Sequence, residues 1–302
     1  MRLVKMHGIG NDYIYADCMR ESIADPAELA VRISDRHFGV GGDGLIMICP
    51  SGIADAKMRM FNNDGSEGSM CGNGIRCVGK YLYDNRYVKS SRISIETLSG
   101  IKQLDLITSG GVCTGARVDM GTPSFSAGEI PALLPGIPAE EDPGTVRFTA
   151  GSRGYEASLV NIGNPHCVLF VDDADGTDPS DAGPLIERLP IFPERVNVEF
   201  VTVKDRGSMR MRVWERGSGI TMACGTGATA SAVAAIRRGL CDSPVRVGLD
   251  GGELVIEWAG EGGHAFMSGS ATYVFDIEGY GTDGRLPRDR ISSASPGVPG
   301  QE

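Results

Sequence analysis

The chain has 302 residues, a formal net charge of −10 and 41% hydrophobic residues, a composition typical of a globular protein with one large domain or two smaller ones. The acidic balance argues against nucleic acid or an anionic membrane as a partner, because both require a basic surface. The N-terminus becomes polar too early for a signal peptide, and no apolar run reaches the roughly 20 residues of a membrane span. The sequence therefore predicts a cytoplasmic protein.

Strands outnumber helices in the pattern along the chain. Short apolar and β-branched runs predict strands, and apolar residues at helical spacing predict three helices. In chain order, the predicted helices are 28–37, 75–84 and 228–239, and the predicted strands are 45–49, 58–61, 92–98, 157–162, 167–171, 197–203, 211–215, 253–258 and 271–277. Because many of these strands are joined by short turns, the pattern indicates an α+β fold and not a doubly wound parallel sheet.

Three pairs of motifs repeat at one constant spacing of 153 residues. The pairs are Ile9–Asn11 with Ile162–Asn164, Met58–Arg59 with Met211–Arg212, and Cys71–Gly74 with Cys224–Gly227. A constant spacing without gaps indicates a duplicated structural unit. We therefore predict two pseudo-symmetric domains, one of residues 1–120 joined by about 275–287, and one of residues 121–274. The Pro-, Ser- and Gly-rich residues 288–302 are predicted to form a disordered tail.

The two repeated cysteines, Cys71 and Cys224, each follow a Gly-rich turn and precede a predicted helix. A helix N-terminus favours anions, which binds carboxylates and lowers the pKa of a thiol towards neutral pH. If the two halves face each other, a carboxylate binds between the helix ends and its α-carbon lies between the sulfurs. One thiolate then removes the α-proton while the opposite thiol protonates the other face. This two-base inversion requires neither a cofactor nor a metal ion.

Six segments resemble the diagnostic motifs of the diaminopimelate epimerase family and occur in the family's order. They are residues 6–13, 35–44, 60–76, 162–167, 197–200 and 214–227. The resemblance implies two domains, each a mostly antiparallel sheet wrapped around a central helix. It also implies interconversion of LL- and meso-2,6-diaminopimelate in lysine and peptidoglycan precursor synthesis, and it leaves a homodimer open.

The resemblance also implies roles for individual residues of this chain. The catalytic residues of the family map onto Cys71, Cys224, His166 and Glu215. Its substrate-binding residues map onto Asn11, Asn62, Gly72, Asn73, Asn164, Asn197, Arg216, Gly225 and Thr226. The chemistry agrees, because an arginine holds a carboxylate bidentately and amides read both ends of a zwitterion. Two positions depart from the family pattern: Gly44 stands where some members carry glutamine, and Ile220 replaces a more usual glutamate.

Three other functions stay open on the sequence alone. A racemase of the same fold could act on another amino acid, although Asn62, Asn197 and Arg216 favour a substrate with a second zwitterionic end. A non-catalytic amino-acid-binding protein would bind its ligand without exchanging the α-hydrogen. A thiol redox protein would need a close cysteine pair, which only Cys71 and Cys224 could supply in the absence of a C-x-x-C motif. Most of the eight cysteines are expected to be free thiols.

Overall fold

The computed structural model describes residues 1–278, which contain eighteen strands and four helices. The first half contains β1 (Leu3–Gly8), β2 (Asn11–Asp17), α1 (Pro26–Ser34), β3 (Gly44–Cys49), β4 (Ala56–Asn62), β5 (Glu67–Gly68), α2 (Gly72–Asp84), β6 (Arg92–Thr97), β7 (Gly100–Ser109) and β8 (Val112–Gly121). The second half contains β9 (Thr145–Ala150), β10 (Arg153–Asn161), β11 (Pro165–Phe170), α3 (Pro179–Glu187), β12 (Asn197–Asp205), β13 (Ser208–Glu215), β14 (Gly219–Ile220), α4 (Gly225–Arg237), β15 (Val245–Leu249), β16 (Gly252–Trp258), β17 (Ala265–Ser270) and β18 (Thr272–Ile277).

The strand pairing repeats in the two halves, as the motif spacing predicts. In the first half β1–β2 and β3–β4 are antiparallel, β2–β3 and β4–β6 are parallel, and β6, β7 and β8 form an antiparallel meander. Strands β10 to β17 repeat this order of antiparallel and parallel pairs. Helices α1 and α3 each have 9 residues, and α2 and α4 each have 13. The predicted α+β fold class is confirmed.

One buried helix lies at the centre of each half. All residues from Gly72 to Leu82 of α2 are buried, and α4 is buried along almost its whole length. Helix α2 packs on β8, β1, β2 and β7, while α4 packs on β16, β10, β12, β11 and β17. Because α4 carries alanine on every side, strands can approach it from all directions. The first residues of both central helices, Gly72 and Gly225, are therefore buried.

Two strand pairs join the halves. Strand β17 pairs with β8 across the boundary, and β18 returns to pair antiparallel with β1. The chain thus goes back to the first half at about the predicted position, although the division of the chain into 1–120 and 121–274 stays a prediction. The rest of the predicted returning segment, 279–287, and the predicted tail, 288–302, lie outside the described residues.

Candidate active site

The two repeated cysteines occupy the same position at the start of the two central helices. Cys71 is the N-cap of α2 and its Sγ accepts a hydrogen bond from the Gly74 N–H at 3.2 Å. Cys224 is the N-cap of α4 and its Sγ accepts from the Gly227 N–H at 3.3 Å. Because Ser and Thr commonly cap helices with the same geometry, a cysteine at this position also aligns its sulfur with the positive end of the helix.

The two helix N-termini lie next to each other across the boundary between the halves. The Asn73 side-chain amide donates to the carbonyl of Ala223 at 3.0 Å. A methyl group on Gly72 would lie 2.9 Å from Met267 Cε, and one on Gly225 would lie 2.9 Å from Met267 Sδ. The side chain of Met267 therefore packs against the first turns of both helices. These contacts bring the residues around the two thiols together.

Burial controls the protonation of the two thiols. It raises the pKa of Cys71 to about 11, although the N–H groups of Gly74 and Asn73 act in the opposite direction. Burial also raises the pKa of Cys224 well above its ordinary value, and the Glu215 carboxylate raises it further. The sequence predicts a thiolate that forms near neutral pH, and this prediction is wrong, because loss of solvation outweighs the field of the helix end.

On the side of Cys71, an amide and a carboxylate form a short chain of hydrogen bonds. The Cys71 thiol donates to Asn11 Oδ1 at 3.2 Å, and Asn11 Nδ2 donates to Asp43 Oδ2 at 2.7 Å. Arg36 donates to the other oxygen of Asp43 at 3.0 Å. Asp43 therefore determines which end of the Asn11 amide faces the thiol. Asp43 was not predicted as a site residue, although it lies within the DRHFGVGGDG motif.

On the side of Cys224, the neighbouring groups are a histidine and an acid. His166 Nδ1 lies 2.7 Å from Glu199 Oε1, its Nε2 lies 3.0 Å from Asn164 Oδ1, and both His166 and Glu199 are fully buried. A methyl group on Gly227 would lie 2.8 Å from Glu199 Oε1 and 3.1 Å from Cys224 Sγ. The acid and the thiol thus flank the same small space. Glu199 was not predicted as a site residue, although it is the one acidic residue within the predicted apolar strand 197–203.

Glu215 is the one predicted catalytic residue that acts electrostatically on both thiols. Burial is the largest cause of the raised pKa values of Cys71 and Cys224, and the Glu215 carboxylate raises both further. Burial raises the pKa of Glu215 itself, and a hydrogen bond from the Thr221 hydroxyl opposes that shift. Thr226, predicted as a substrate contact, lies with its hydroxyl 3.5 Å from Cys224 Sγ.

The remaining predicted substrate residues lie in turns at the ends of β4, β12 and β13. Asn197 is buried; its amide donates to the Pro165 carbonyl at 2.8 Å and accepts from the Arg216 N–H at 2.9 Å. The Arg216 side chain is exposed and donates to the Glu194 carbonyl at 3.0 Å. Asn62 donates to Ser66 Oγ within its own turn at 3.0 Å. Asn197 thus holds the backbone of Arg216 in place.

Gly44, where some members of the family carry glutamine, has no room for a side chain in this structure. A methyl group on Gly44 would lie 2.1 Å from the carbonyl oxygen of Phe61 on the neighbouring strand. The other departure, Ile220, is exposed on β14 opposite Trp214. Among residues 1–278, no three His, Cys, Asp or Glu side chains lie close enough together to hold a metal ion.

The fold is shared with solved structures of a racemase and an epimerase. A probable proline racemase from Agrobacterium radiobacter K84 superposes with a TM-score of 0.66 and 17% identity over 92% of each chain. A hydroxyproline epimerase from Agrobacterium vitis gives a TM-score of 0.65 and 16% identity over 92% of this chain and 91% of that one. At such low identity, these two structures show only that the fold is shared. In this chain, the two thiols lie at the adjoining N-termini of α2 and α4.

The family follows from closer relatives. The family model described as "Diaminopimelate epimerase" matches residues 3–126 and 158–274. The diaminopimelate epimerase of Desulfitobacterium hafniense is 48% identical over 278 residues, which are 91% of this chain and 96% of that protein. That of Pelotomaculum thermopropionicum is 49% identical over 283 residues, 92% of this chain and 98% of that protein. The chain belongs to the diaminopimelate epimerase family.

Proposed function

We propose that this protein is a cofactor-independent epimerase that interconverts LL- and meso-2,6-diaminopimelate. Membership of the family makes it an isomerase. The observation that carries the mechanism is the pair of helix N-caps, Cys71 and Cys224, whose helix ends adjoin through the Asn73–Ala223 hydrogen bond. We infer a role in lysine and peptidoglycan precursor synthesis and a location in the cytoplasm. Among residues 1–278, no helix is long and apolar enough to span a bilayer.

The proposed reaction inverts one α-carbon between the two sulfurs. The substrate carboxylate binds the N–H groups of the two first turns, Gly72 and Asn73 in one and Gly225 and Thr226 in the other. One thiolate takes the α-proton, so that the C–H electron pair passes to the α-carbon and its carboxylate, where the helix ends stabilise the negative charge. The opposite thiol then gives its proton to the other face of the carbon. Each turnover exchanges the protonation states of the two sulfurs.

The groups around the thiols have two further roles in this proposal. His166 and Glu215 are assigned an influence on proton transfer. For Glu215 the support is that its carboxylate adds to the raised pKa of both thiols. Asn11 accepts the Cys71 thiol hydrogen. Recognition of the distal amino-acid end is assigned to Asn62, Asn164, Asn197 and Arg216. An exposed guanidinium such as that of Arg216 suits the distal carboxylate, because it presents two parallel N–H donors.

The reaction is tested by NMR of LL-diaminopimelate incubated with the protein in deuterated water. We expect loss of the α-proton signal and appearance of the meso isomer without added cofactor, and no pyridoxal absorbance in the purified protein. Exchange that requires added pyridoxal phosphate would contradict the two-base mechanism. Binding without exchange would support an amino-acid-binding protein instead, and faster exchange of proline or histidine would support a racemase for another substrate.

Arg216→Ala is expected to lower kcat/KM for diaminopimelate by on the order of 2–4 kcal/mol in transition-state binding, because a bidentate carboxylate contact is lost. The effect on folding should be small, since the side chain is exposed and bonds only to the Glu194 carbonyl among the contacts described. Steady-state kinetics and a thermal melt measure the two effects. Arg147→Ala is the matched control, because Arg147 is an exposed arginine of β9 paired with Glu156. Equal kinetics for the two variants would place Arg216 outside the site.

A homodimer, which the resemblance leaves open, is tested by sedimentation of the full chain over a range of concentrations. With the formal charge of −10, we expect no binding to nucleic acid.

A further inference from the structure

Arg76 is a fully buried cation on the second turn of α2. Its guanidinium forms no ion pair with a carboxylate among residues 1–278, and its hydrogen bonds go to neutral acceptors. Nη1 donates to the Gly72 carbonyl at 3.1 Å and to Asn73 Oδ1 at 3.0 Å, and Nε donates to the Ser270 carbonyl at 3.1 Å. Nη2 has no hydrogen-bond partner in the described part of the chain. A buried charge without a counter-charge is costly, which suggests that Arg76 faces an anion during the reaction.

The guanidinium lies beside the first turn of the helix, where Cys71 is the N-cap. Side chains of a helix lean towards its N-terminus, and the Gly72 carbonyl that Arg76 contacts is four residues back along the chain. The surrounding backbone leaves just enough space for it. A methyl group on Gly8 would lie 2.8 Å from Arg76 Nη2, and one on Gly269 would lie 3.0 Å from Arg76 Cζ. Burial raises the pKa of Cys71 and lowers that of Arg76, and each of the two groups opposes the shift of the other. The Cys77 thiol also opposes the shift of Arg76, more strongly than Cys71 does.

The second half has no such cation. Thr229 stands 153 positions after Arg76, is fully buried, and donates its hydroxyl to the Gly225 carbonyl at 2.9 Å. The same carbonyl in the first turn of each helix is thus bonded by a charged donor in one half and by a neutral donor in the other. The two halves also differ in an acidic residue. Glu199 lies near Cys224, whereas the equivalent position of the first half, 153 residues earlier, is Ile46. The duplicated site therefore has unequal charges.

We propose that Arg76 is a positioning residue that supplies the counter-charge for a Cys71 thiolate, so that Cys71 loses its proton more readily than Cys224. The proposal deepens the proposed function, since it rests on a catalytic use for that thiolate. The second half carries the neutral Thr229 in place of Arg76 and has the acid Glu199 near Cys224, so the two sulfurs have different charged surroundings.

Other groups that face Cys71 oppose its ionisation or stay neutral. Asn11 Oδ1 accepts the thiol hydrogen, and the Glu215 carboxylate raises the pKa of Cys71. Tyr13 and Tyr15 from β2 have pKa values raised by burial, so they remain uncharged at working pH. Cys77, next to Arg76 on α2, also has a pKa raised by burial. Compared with these groups of the described chain, Arg76 is the cation, and its charge opposes the rise that burial causes in the pKa of Cys71.

The test measures alkylation of each cysteine by iodoacetamide as a function of pH, followed by mass spectrometry of the peptides. The thiolate displaces iodide and forms a S–C bond, so the rate reports the thiolate fraction of Cys71 and Cys224 separately and needs no substrate. In the wild type we expect the pH midpoint of Cys71 to lie below that of Cys224. In Arg76→Met we expect Cys71 alkylation at pH 8 to fall about tenfold, since a neighbouring opposite charge shifts a pKa by roughly 1–3 units.

Two controls separate charge from packing. Arg76→Lys keeps the charge and should restore the Cys71 midpoint, whereas Thr229→Val removes the equivalent carbonyl contact of α4 and should leave both midpoints unchanged. A folded Arg76→Met protein with an unchanged Cys71 midpoint would overturn the proposal. So would a wild-type protein in which Cys224 ionises first, a comparison that needs no variant. If instead the alkylation results hold and diaminopimelate is not epimerised, the proposed function alone fails.

Discussion

Replacing either Cys71 or Cys224 by alanine is expected to lower epimerisation of diaminopimelate by about 10³-fold or more, within the range that general acid–base groups contribute. The sulfurs lie at equivalent helix N-caps, and the two-base mechanism gives each of them one face of the α-carbon. A protein with one thiol can remove a proton but cannot deliver another to the opposite face. Inversion therefore requires both sulfurs.

The same reasoning predicts a difference between the two variants. The remaining thiolate can take an α-proton from the face that it reaches and return a solvent deuteron to that face. Cys71→Ala and Cys224→Ala should therefore each retain slow exchange with one stereoisomer, and the isomers should be opposite. NMR in deuterated water measures exchange and inversion in one experiment. Retention of exchange with the same isomer in both variants would show that the thiols do not face opposite sides of the carbon.

A matched control lies at the other end of the same helix. Cys241 is buried just beyond the C-terminal end of α4, whereas Cys224 caps its N-terminus. Cys241→Ala removes a buried sulfur of the same half and leaves the N-terminus of α4 unchanged. We expect it to cost some stability through the cavity left behind and to keep its rate of inversion. A comparable loss of inversion in Cys241→Ala would mean that the effect arises from packing.

Mild oxidation is expected to inactivate the protein by joining Cys71 and Cys224. With hydrogen peroxide as oxidant, the two thiols lose two protons and two electrons, one S–S bond forms, and the peroxide is reduced to two water molecules. The sulfurs have to reach opposite faces of one carbon, and their helix ends adjoin through Asn73 and Ala223. Since the reactive form is the thiolate and the pKa of Cys71 is raised to about 11, inactivation should speed up as pH rises from 7 to 9.

Activity assays and peptide mapping together test this bond. Diaminopimelate should protect the protein, because it occupies the space between the sulfurs, and a thiol reductant should restore activity. The expected cross-link joins the peptides that contain Cys71 and Cys224. Inactivation that follows a bond to Cys77 or Cys167 would contradict the site, because both are fully buried and neither lies at a helix end.

Local features of the sequence determined the central elements of the fold. The sequence predicted helices after the CGNG and CGTG turns, and α2 and α4 are there, but each begins three residues before its predicted start, at Gly72 and Gly225. The glycine turn is itself the first helical turn, because the cysteine before it caps the N–H three residues on. The constant spacing of 153 residues also predicted the repeat, and α1 and α3 extend it, since each starts with an aspartate cap followed by proline. Helix α3 was nevertheless missed, because its interior contains Gly183 and Pro184 and its stability depends on packing against Trp214.

Strands β1 and β2 were missed for a related reason. Their sequence around Met6–Tyr13 reads as a family motif with polar residues, and their strand character comes from pairing with each other and with distant β18 and β3. Pairing across such distances leaves no periodic signal in a short segment. The neighbours of the site, Asp43, Glu199 and Arg76, were missed in the same way.

The same distinction between sequence and tertiary structure applies to the chemistry of the site. The sequence by itself determined which residues can do the chemistry: two cysteines at helix starts, with amides and an arginine that suit an amino acid with two charged ends. Only the tertiary structure decided their protonation and their partners, because the pKa of a thiol depends on how much water the whole fold removes from it. Burial in the folded protein raises the pKa of Cys71, and it outweighs the N–H groups of Gly74 and Asn73, through which the helix end acts on this thiol.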